Sequence, residues 1–434
     1  MTKQRAFIHV LAGLLSVLVI VATATPSQAI PAFARKYDAA CTLCHAAFPK
    51  LNDFGSTFRD NGYRLGTDRD NPVNLPGAYF PIAFRTPVGF EYTIQTHQPT
   101  LEDPDATIRS GSFQDFGLDV LSVGTLTDSI SYHLVFVLAD VGTPEAGLSL
   151  ESAWIRFNDL NKSPWLNVKA GIFEMDVPFS TKRILTLGAG YPIYDHRPAG
   201  SMVEMSLSEN QTGVELMGHS ADDSLRYTLD LVEGDNTALG NKEPFSPDLY
   251  GHVTYRLHGQ RVGAFSYLGR EASAYLHDLS GEPIPGTGRN PKTFYRYGVD
   301  FNLTVRSVNF LVMGMAGRDP SAVIDSDTVT ADIQPAAQDG KFYGGLVEAN
   351  WHVSPELVLI ARYDVVRNTQ QPDPTVSKSD GDIDQVVAAV RKALTINTRN
   401  EVFLHAEVSE QRTKQDGGLD LREVRVLLAF DFAL

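Results

Sequence analysis

A two-residue hydrophobic period that returns from about Pro81 to the C-terminus constrains this chain more than any other feature. In Leu249–His258 one face carries Leu249, Gly251, Val253, Tyr255 and Leu257, and the other Tyr250, His252, Thr254, Arg256 and His258. Tyr295–Val305 sets Tyr295, Tyr297, Val299, Phe301, Leu303 and Val305 against Arg296, Gly298, Asp300, Asn302 and Thr304. The last segment sets Val424, Val426, Leu428, Phe430 and Phe432 against Glu423, Arg425 and Asp431. Successive side chains of a strand point to opposite faces, so each such segment reads as a strand with one apolar and one polar face. Runs of roughly ten residues with this period mark strands that cross a membrane in a closed barrel.

Sixteen segments satisfy the pattern, at about 83–97, 113–124, 129–140, 148–159, 165–174, 211–219, 225–233, 248–257, 261–270, 294–305, 307–317, 341–352, 356–367, 384–394, 399–410 and 421–433. Alternate connections are short, as at Thr127-Asp128, Asn161-Lys162-Ser163-Pro164 and His258-Gly259-Gln260. Most of the others are long: 175–210, 271–293, 318–340 and 368–383. Short turns on one side and long loops on the other are the habit of bacterial outer-membrane barrels. The expected fold is mainly β: a 16-stranded antiparallel transmembrane β-barrel around an aqueous lumen, with both chain ends on the periplasmic side. A soluble sandwich or propeller is the competing architecture. The aromatic apolar faces, the strand ending in Phe430-Asp431-Phe432-Ala433-Leu434 and the lack of a fixed repeat stand against it.

The first residues form a secretory leader. Lys3 and Arg5 precede a nearly continuous apolar run from Val10 to Ala22, and Ser27-Gln28-Ala29 is a small-x-small cleavage site. Cleavage leaves Ile30 first, so this is no lipoprotein. The run is too short to span a bilayer comfortably, and no other stretch holds 18 apolar residues in a row. A net charge of −15 disfavours nucleic acid as a partner and suits cations or a basic protein. The chain divides into a leader at 1–29, a short segment at 30–77 and the barrel at 78–434.

The short segment contains Cys41-Thr42-Leu43-Cys44-His45, a C-x-x-C-H. Its two cysteines are the only two in the chain. A disulfide across two intervening residues staples almost nothing, and two thiols cannot make a four-thiolate zinc site. No βαβ context supports a thioredoxin-type pair. The spacing is that of a c-type haem attachment site, so the expectation is one covalently attached haem c, bound through Cys41 and Cys44, with His45 as an axial ligand of the iron. An export leader agrees with haem attachment outside the cytoplasm.

Asp38 is an expected N-cap for a helix carrying Cys41, Cys44 and His45. Phe48-Pro49 breaks or restarts that helix, Leu51, Phe54 and Phe58 then form an apolar stripe, and Gly62-Tyr63 ends it. Such a short α-helical unit buries too little surface to stand alone, so it is expected as a plug in the barrel lumen, entering from the periplasmic side. Arg35 and Lys36 are candidates for pairing with haem propionates, or are simply solvated. The segment offers no second axial ligand after its own His45. Alternation places His97, His133, His219, His252, His258, His352 and His405 on the lumen side, with Met217 beside His219.

Pro31-Ala32-Phe33-Ala34-Arg35, the C-x-x-C-H, Phe48-Pro49-Lys50-Leu51, Phe54-Gly55, Phe58-Arg59 and Gly62-Tyr63 form a signature of about 35 residues. It resembles that of the outer-membrane monohaem c-type cytochrome–porin fusions, whose best-known members are bacterial iron oxidases. The resemblance implies an electron conduit that oxidises extracellular Fe(II) and passes electrons through one haem to a periplasmic electron-carrier protein, in a barrel surrounded by outer-membrane lipid. Acidic residues in the long connections agree with a cationic donor: Glu102, Asp103 and Asp105; Asp325, Asp327 and Asp332; Asp373, Asp380, Asp382 and Asp384. The alternatives are a plugged porin with a structural or redox-sensing haem segment, and an outward conduit to extracellular acceptors.

Overall fold

The computed structural model describes residues 32–66, 72–73, 81–97, 107–115, 117–139, 147–198, 201, 203, 205–234, 246–271, 292–320, 339–370, 381–394, 401–414 and 420–433. The expected leader at 1–29, the expected 77/78 boundary and Glu102, Asp103, Asp105, Asp325, Asp327, Asp332, Asp373 and Asp380 lie outside the described residues.

A hairpin of β1 (His45–Ala47) and β2 (Lys50–Leu51) precedes the barrel. The barrel strands are β3 (Ile82–Thr96), β4 (Thr107–Asp115), β5 (Leu118–Thr127), β6 (Ile130–Ala139), β7 (Gly147–Phe157) and β8 (Asn167–Phe173). After a long connection come β9 (Gln211–His219), β10 (Leu225–Val232), β11 (Asp248–Leu257), β12 (Gln260–Glu271), β13 (Lys292–Val305) and β14 (Val308–Asp319). The last are β15 (Gly340–Ser354), β16 (Leu357–Gln370), β17 (Asp382–Ala393), β18 (Glu401–Lys414) and β19 (Asp420–Ala433). Neighbours pair antiparallel, and β19 closes on β3 from Arg422 opposite Thr96 to Ala433 opposite Arg85. β3 pairs with β4 up to Val88 opposite Asp115, and with β5 from Arg85 opposite Asp119. β4 and β5 are therefore two halves of one strand, broken at Gly117, whose φ of 88° suits a residue without Cβ. Sixteen strands cross, as the period predicts.

The alternation comes out as expected. Leu249, Val253, Tyr255 and Leu257 are exposed on the outside of β11, while Tyr250, His252 and Thr254 are buried inside. Tyr297, Val299, Phe301 and Val305 face out from β13, and Val426 and Leu428 from β19. An apolar exterior of this extent requires lipid. Tight turns close the short-connection end. His258 and Gly259 both take positive φ, 50° and 76°, which matches the twist of a two-residue hairpin.

The lumen departs from expectation. It is packed with apolar side chains, because the described residues of the connection 174–210 fold inward. Val177, Phe179, Tyr191, Ile193, Tyr194, Val203, Met205 and Leu207 join one buried cluster with lumen-facing Tyr250, Phe265, Tyr267, Phe294, Met313, Met315, Phe342 and Leu346. Each fully buried side chain of this size contributes roughly 1.5–3 kcal/mol towards holding the connection inside. Polar staples fix its path. Glu407 accepts from the backbone N–H of Leu187 at 2.8 Å and of Gly188 at 3.3 Å. Arg362 donates to the carbonyls of Ala189 at 3.1 Å and Gly190 at 2.5 Å. Among the described residues no helix is long and apolar enough to cross a membrane.

Candidate functional site

The N-terminal segment sits at the short-turn end of the lumen. Helix α1 (Ala32–Tyr37) and helix α2 (Asp53–Asp60) flank the cysteine motif. Phe33, Tyr37, Phe58 and Tyr63 form the segment's own core: Phe33 meets Phe58 edge-on at 4.9 Å and stacks on Tyr63 at 5.2 Å. Asn52 caps α2 by accepting from Gly55 N at 2.8 Å. Gly62 and Tyr63 end the segment's last turn with positive φ of 71° and 61°, as expected.

The motif itself is not α-helical. Asp38, expected as an N-cap, instead follows α1 with φ of 54°, a left-handed conformation that Asp tolerates better than most residues. Cys41–Leu43 is a 3-10 turn, and His45 begins the short strand β1, paired to β2 across the Phe48-Pro49 turn. Tertiary contacts override the helical spacing. Cys44 O accepts from Asn52 N at 2.9 Å, so α2 docks directly on the motif's backbone.

The barrel grips this segment around much of its rim. Arg64 donates to Asp159 at 2.7 Å and to the carbonyl of Asp128 at 2.9 Å. Thr57 donates to Asp223 at 2.6 Å, and Lys50 to Asn309 at 2.7 Å. Arg156 donates to the carbonyls of Arg59 and Asp60, and Arg226 pairs with the Asp60 carboxylate at 2.7 Å. Arg226 also reaches Asp176 of the inward connection at 2.9 Å. The same guanidinium therefore ties the N-terminal segment to the connection that fills the lumen.

Cys41, Cys44 and His45 line one cavity of about 510 Å³, walled by Arg85, Asp119, Leu121, His133, Val135, Ser152, Trp154, Met175, Met217 and Arg183 from the barrel and its inward connection. No disulfide joins the two cysteines. Burial pushes the Cys44 thiol up to about 11 and pulls the His45 imidazole down to about 4, so both are neutral at pH 7. His45 Nδ1 lies 3.2 Å from the carbonyl of Pro49. A carbonyl only accepts, so Nδ1 carries the proton and Nε2 keeps its lone pair.

The chain has the fold of an outer-membrane porin. It matches an anion-selective porin from Comamonas acidovorans at 10% identity over 81% of this chain and 100% of that one, with a TM-score of 0.52. It matches OprB of Pseudomonas putida at 9% over 82% and 94%, TM-score 0.50. It matches Salmonella typhi OmpF, solved with daunomycin, at 10% over 81% and 97%, TM-score 0.50. No family model and no curated protein sequence matches the chain.

Within that porin fold the expected lumen ligands separate. His133 and Met217 line the cavity with the motif. His252 is held between the Asp176 carbonyl at 2.7 Å and Asp300 at 3.0 Å, and His405 bonds Glu407 at 2.9 Å. His219 bonds the Ser220 carbonyl at 3.0 Å on the turn side. His258 is exposed on its hairpin turn, His97 follows the far end of β3, and His352 lies on β15, all outside the cavity wall. Arg35 donates to the carbonyl of Ile82, and Lys36 lies 5.1 Å over the Tyr37 ring, so neither lines the cavity. Its cations are Arg85, Lys182 and Arg183 among others. Asp382 and Asp384 belong to β17, where Asp382 accepts from Asn368 N at 2.7 Å and Asp384 pairs with Arg367 at 2.6 Å. They are strand anchors, not free loop carboxylates.

Alternation alone missed Met175, Trp154 and the inward connection. The signal was compositional: a solvated loop does not need Met175, Val177, Phe179, Leu185, Tyr191, Ile193 and Tyr194.

Proposed function

We propose that this protein is an outer-membrane electron conduit, carrying one haem c on Cys41 and Cys44 with His45 as an axial ligand. In this reading extracellular Fe(II) is the donor and a periplasmic carrier protein the acceptor. The observation that carries the reading is the convergence of both thiols and the imidazole on one cavity inside the barrel. The donor set fits the group: two thiols at the attachment spacing, and an imidazole whose Nε2 lone pair is left over once Nδ1–H is given to Pro49. The volume lies within the roughly 300–1,000 Å³ usual for sites of bound small molecules and cofactors. Apolar Leu43, Phe54 and Leu65 line it while still partly exposed, and Arg85, Lys182 and Arg183 supply positive charge for propionates.

A haem bound there supplies one-electron chemistry through its iron. The chain's residues do the rest. Pro49 holds the His45 tautomer, and Arg226 and Arg156 hold the segment in the lumen. The packed lumen favours electron passage over solute passage. The identity of the donor rests on the signature at Pro31–Tyr63.

Proteoliposomes enclosing a one-electron acceptor test the reading. External Fe(II) should reduce the haem and then the enclosed acceptor, and His45→Ala should abolish both while leaving the heat-modifiable gel migration of the barrel. Solute flux with no reduction of the haem by Fe(II) would instead establish a plugged porin.

A further inference from the structure

We propose that His133 is the second axial ligand of the haem iron, an inference that rests on the haem reading above. His133 stands on β6 in the wall of the cavity that Cys41, Cys44 and His45 also line. Its Nδ1 lies 3.2 Å from Ser152 Oγ. That hydroxyl gives its single hydrogen to the carbonyl of Ile172 at 3.1 Å, so towards His133 it accepts. Nδ1 of His133 therefore carries the ring proton, and Nε2 presents a lone pair with no hydrogen-bond partner among the described residues. This repeats the preparation of His45, whose Nδ1–H is given to Pro49. A metal-binding histidine donates its other ring N–H to a fixed acceptor, which sets both tautomer and ring orientation.

The ring plane is fixed as well. His133 stacks on Trp154 at 5.4 Å with 13° between planes, and Trp154 stacks on Tyr63 at 6.2 Å and 18°. Tyr63 in turn stacks on Phe33, so the wall that orients His133 continues into the core of the haem segment. The ligand and the segment that would carry the haem are thus held by one stack of rings. The other soft donors on the cavity are Met175 and Met217, buried to 2% and 4% exposure in the packed wall. Among the described residues neither thioether has a hydrogen-bond partner that would aim it. Among the described residues the remaining barrel histidines are bonded elsewhere or lie outside the cavity.

The test is spectroscopic and uses the full exported chain. Covalent haem is first measured by mass and by haem staining of denaturing gels; a chain without it overturns the conduit reading, and this inference with it. In haem-loaded protein, electron paramagnetic resonance and near-infrared magnetic circular dichroism of the oxidised state should show a low-spin centre with two imidazoles. His133→Gly should convert it to high spin without loss of covalent haem, and free imidazole should restore the low-spin signal. Met175→Leu and Met217→Leu should leave the spectra unchanged. A methionine–iron charge-transfer band in the unmodified protein, or a low-spin imidazole signal that survives His133→Gly, overturns the assignment while leaving the conduit reading intact.

Discussion

Gly55 lies so close to Cys44 that a Cβ built on it would stand 2.1 Å from the Cys44 carbonyl oxygen. The atom it would meet is backbone, which cannot rotate away. Gly55→Ala should push α2 off the motif, weaken the bond from Asn52 N to Cys44 O and destabilise the docked segment by about 1–3 kcal/mol, the usual cost of overpacking. The measurable result is a lower yield of covalent haem per barrel, with barrel migration on gels unchanged. Full haem loading in Gly55→Ala would show that this contact does not position the motif.

Arg226 bridges Asp60 of the N-terminal segment and Asp176 of the inward connection at 2.7 and 2.9 Å. All three side chains are largely buried, and removing one partner of a buried pair costs about 3–5 kcal/mol because it strands the other charge. Arg226→Ala should therefore loosen both elements at once. Limited proteolysis of folded protein should cut within 32–66 faster than in the unmodified chain, and single-channel recordings should show raised ion conductance. Asp60→Asn should affect the N-terminal segment more than the connection, which separates the two halves of the bridge.

The sixteen strands were legible because lipid imposes a period of two on one face, and that period survives whatever fills the inside. The large apolar residues exposed on β11, β13 and β19 all lie on the face that the alternation turns outward. The connection 174–210 was not legible as an inward plug, because its apolar residues follow no period and its partners, such as Tyr267 and Phe294, come from distant strands. The conformation of Cys41–His45 was hidden for a related reason. Its spacing is compatible with a helix, but the contacts of Cys44 with Asn52 and Gly55 decide the backbone. Alternation placed seven histidines towards the lumen without ranking them. Only the cavity, the hydrogen bond to Ser152 and the stack on Trp154 set His133 apart.

The inward connection should be acid-labile. Burial raises the Asp176 carboxyl, but Arg226, His252 and Arg59 outweigh it and hold the group well below its ordinary value of 3.8. Glu174 is likewise raised by burial and lowered further by Arg183 and Ser180, ending below its ordinary 4.5. Groups with depressed folded values stabilise fully above their unfolded values and lose that contribution as pH falls through the folded ones. Hydrogen exchange within 174–198 should be flat from pH 7 to about 5 after correction for intrinsic rates, then rise below about 4. Asp176→Asn should remove much of that rise and lower protection at neutral pH. A protection profile that does not change down to pH 2 would falsify the anchoring role of these carboxylates.

The ligand pair also sets a direction for the reduction potential. Replacing one imidazole by a thioether raises the potential of a c-type haem, since a softer and weaker donor stabilises the reduced iron. His133→Met should therefore titrate at a higher potential than the unmodified protein, with the ring proton acceptor Ser152 left without its partner. Trp154→Leu removes the face on which His133 stacks but keeps the ligand, so its potential should stay near that of the unmodified protein while a high-spin fraction appears in the oxidised state. Spectroelectrochemical titration of the two variants separates the roles. A potential unchanged in His133→Met, with covalent haem intact, places the second ligand elsewhere in the cavity and makes Met217→Leu the next variant to titrate.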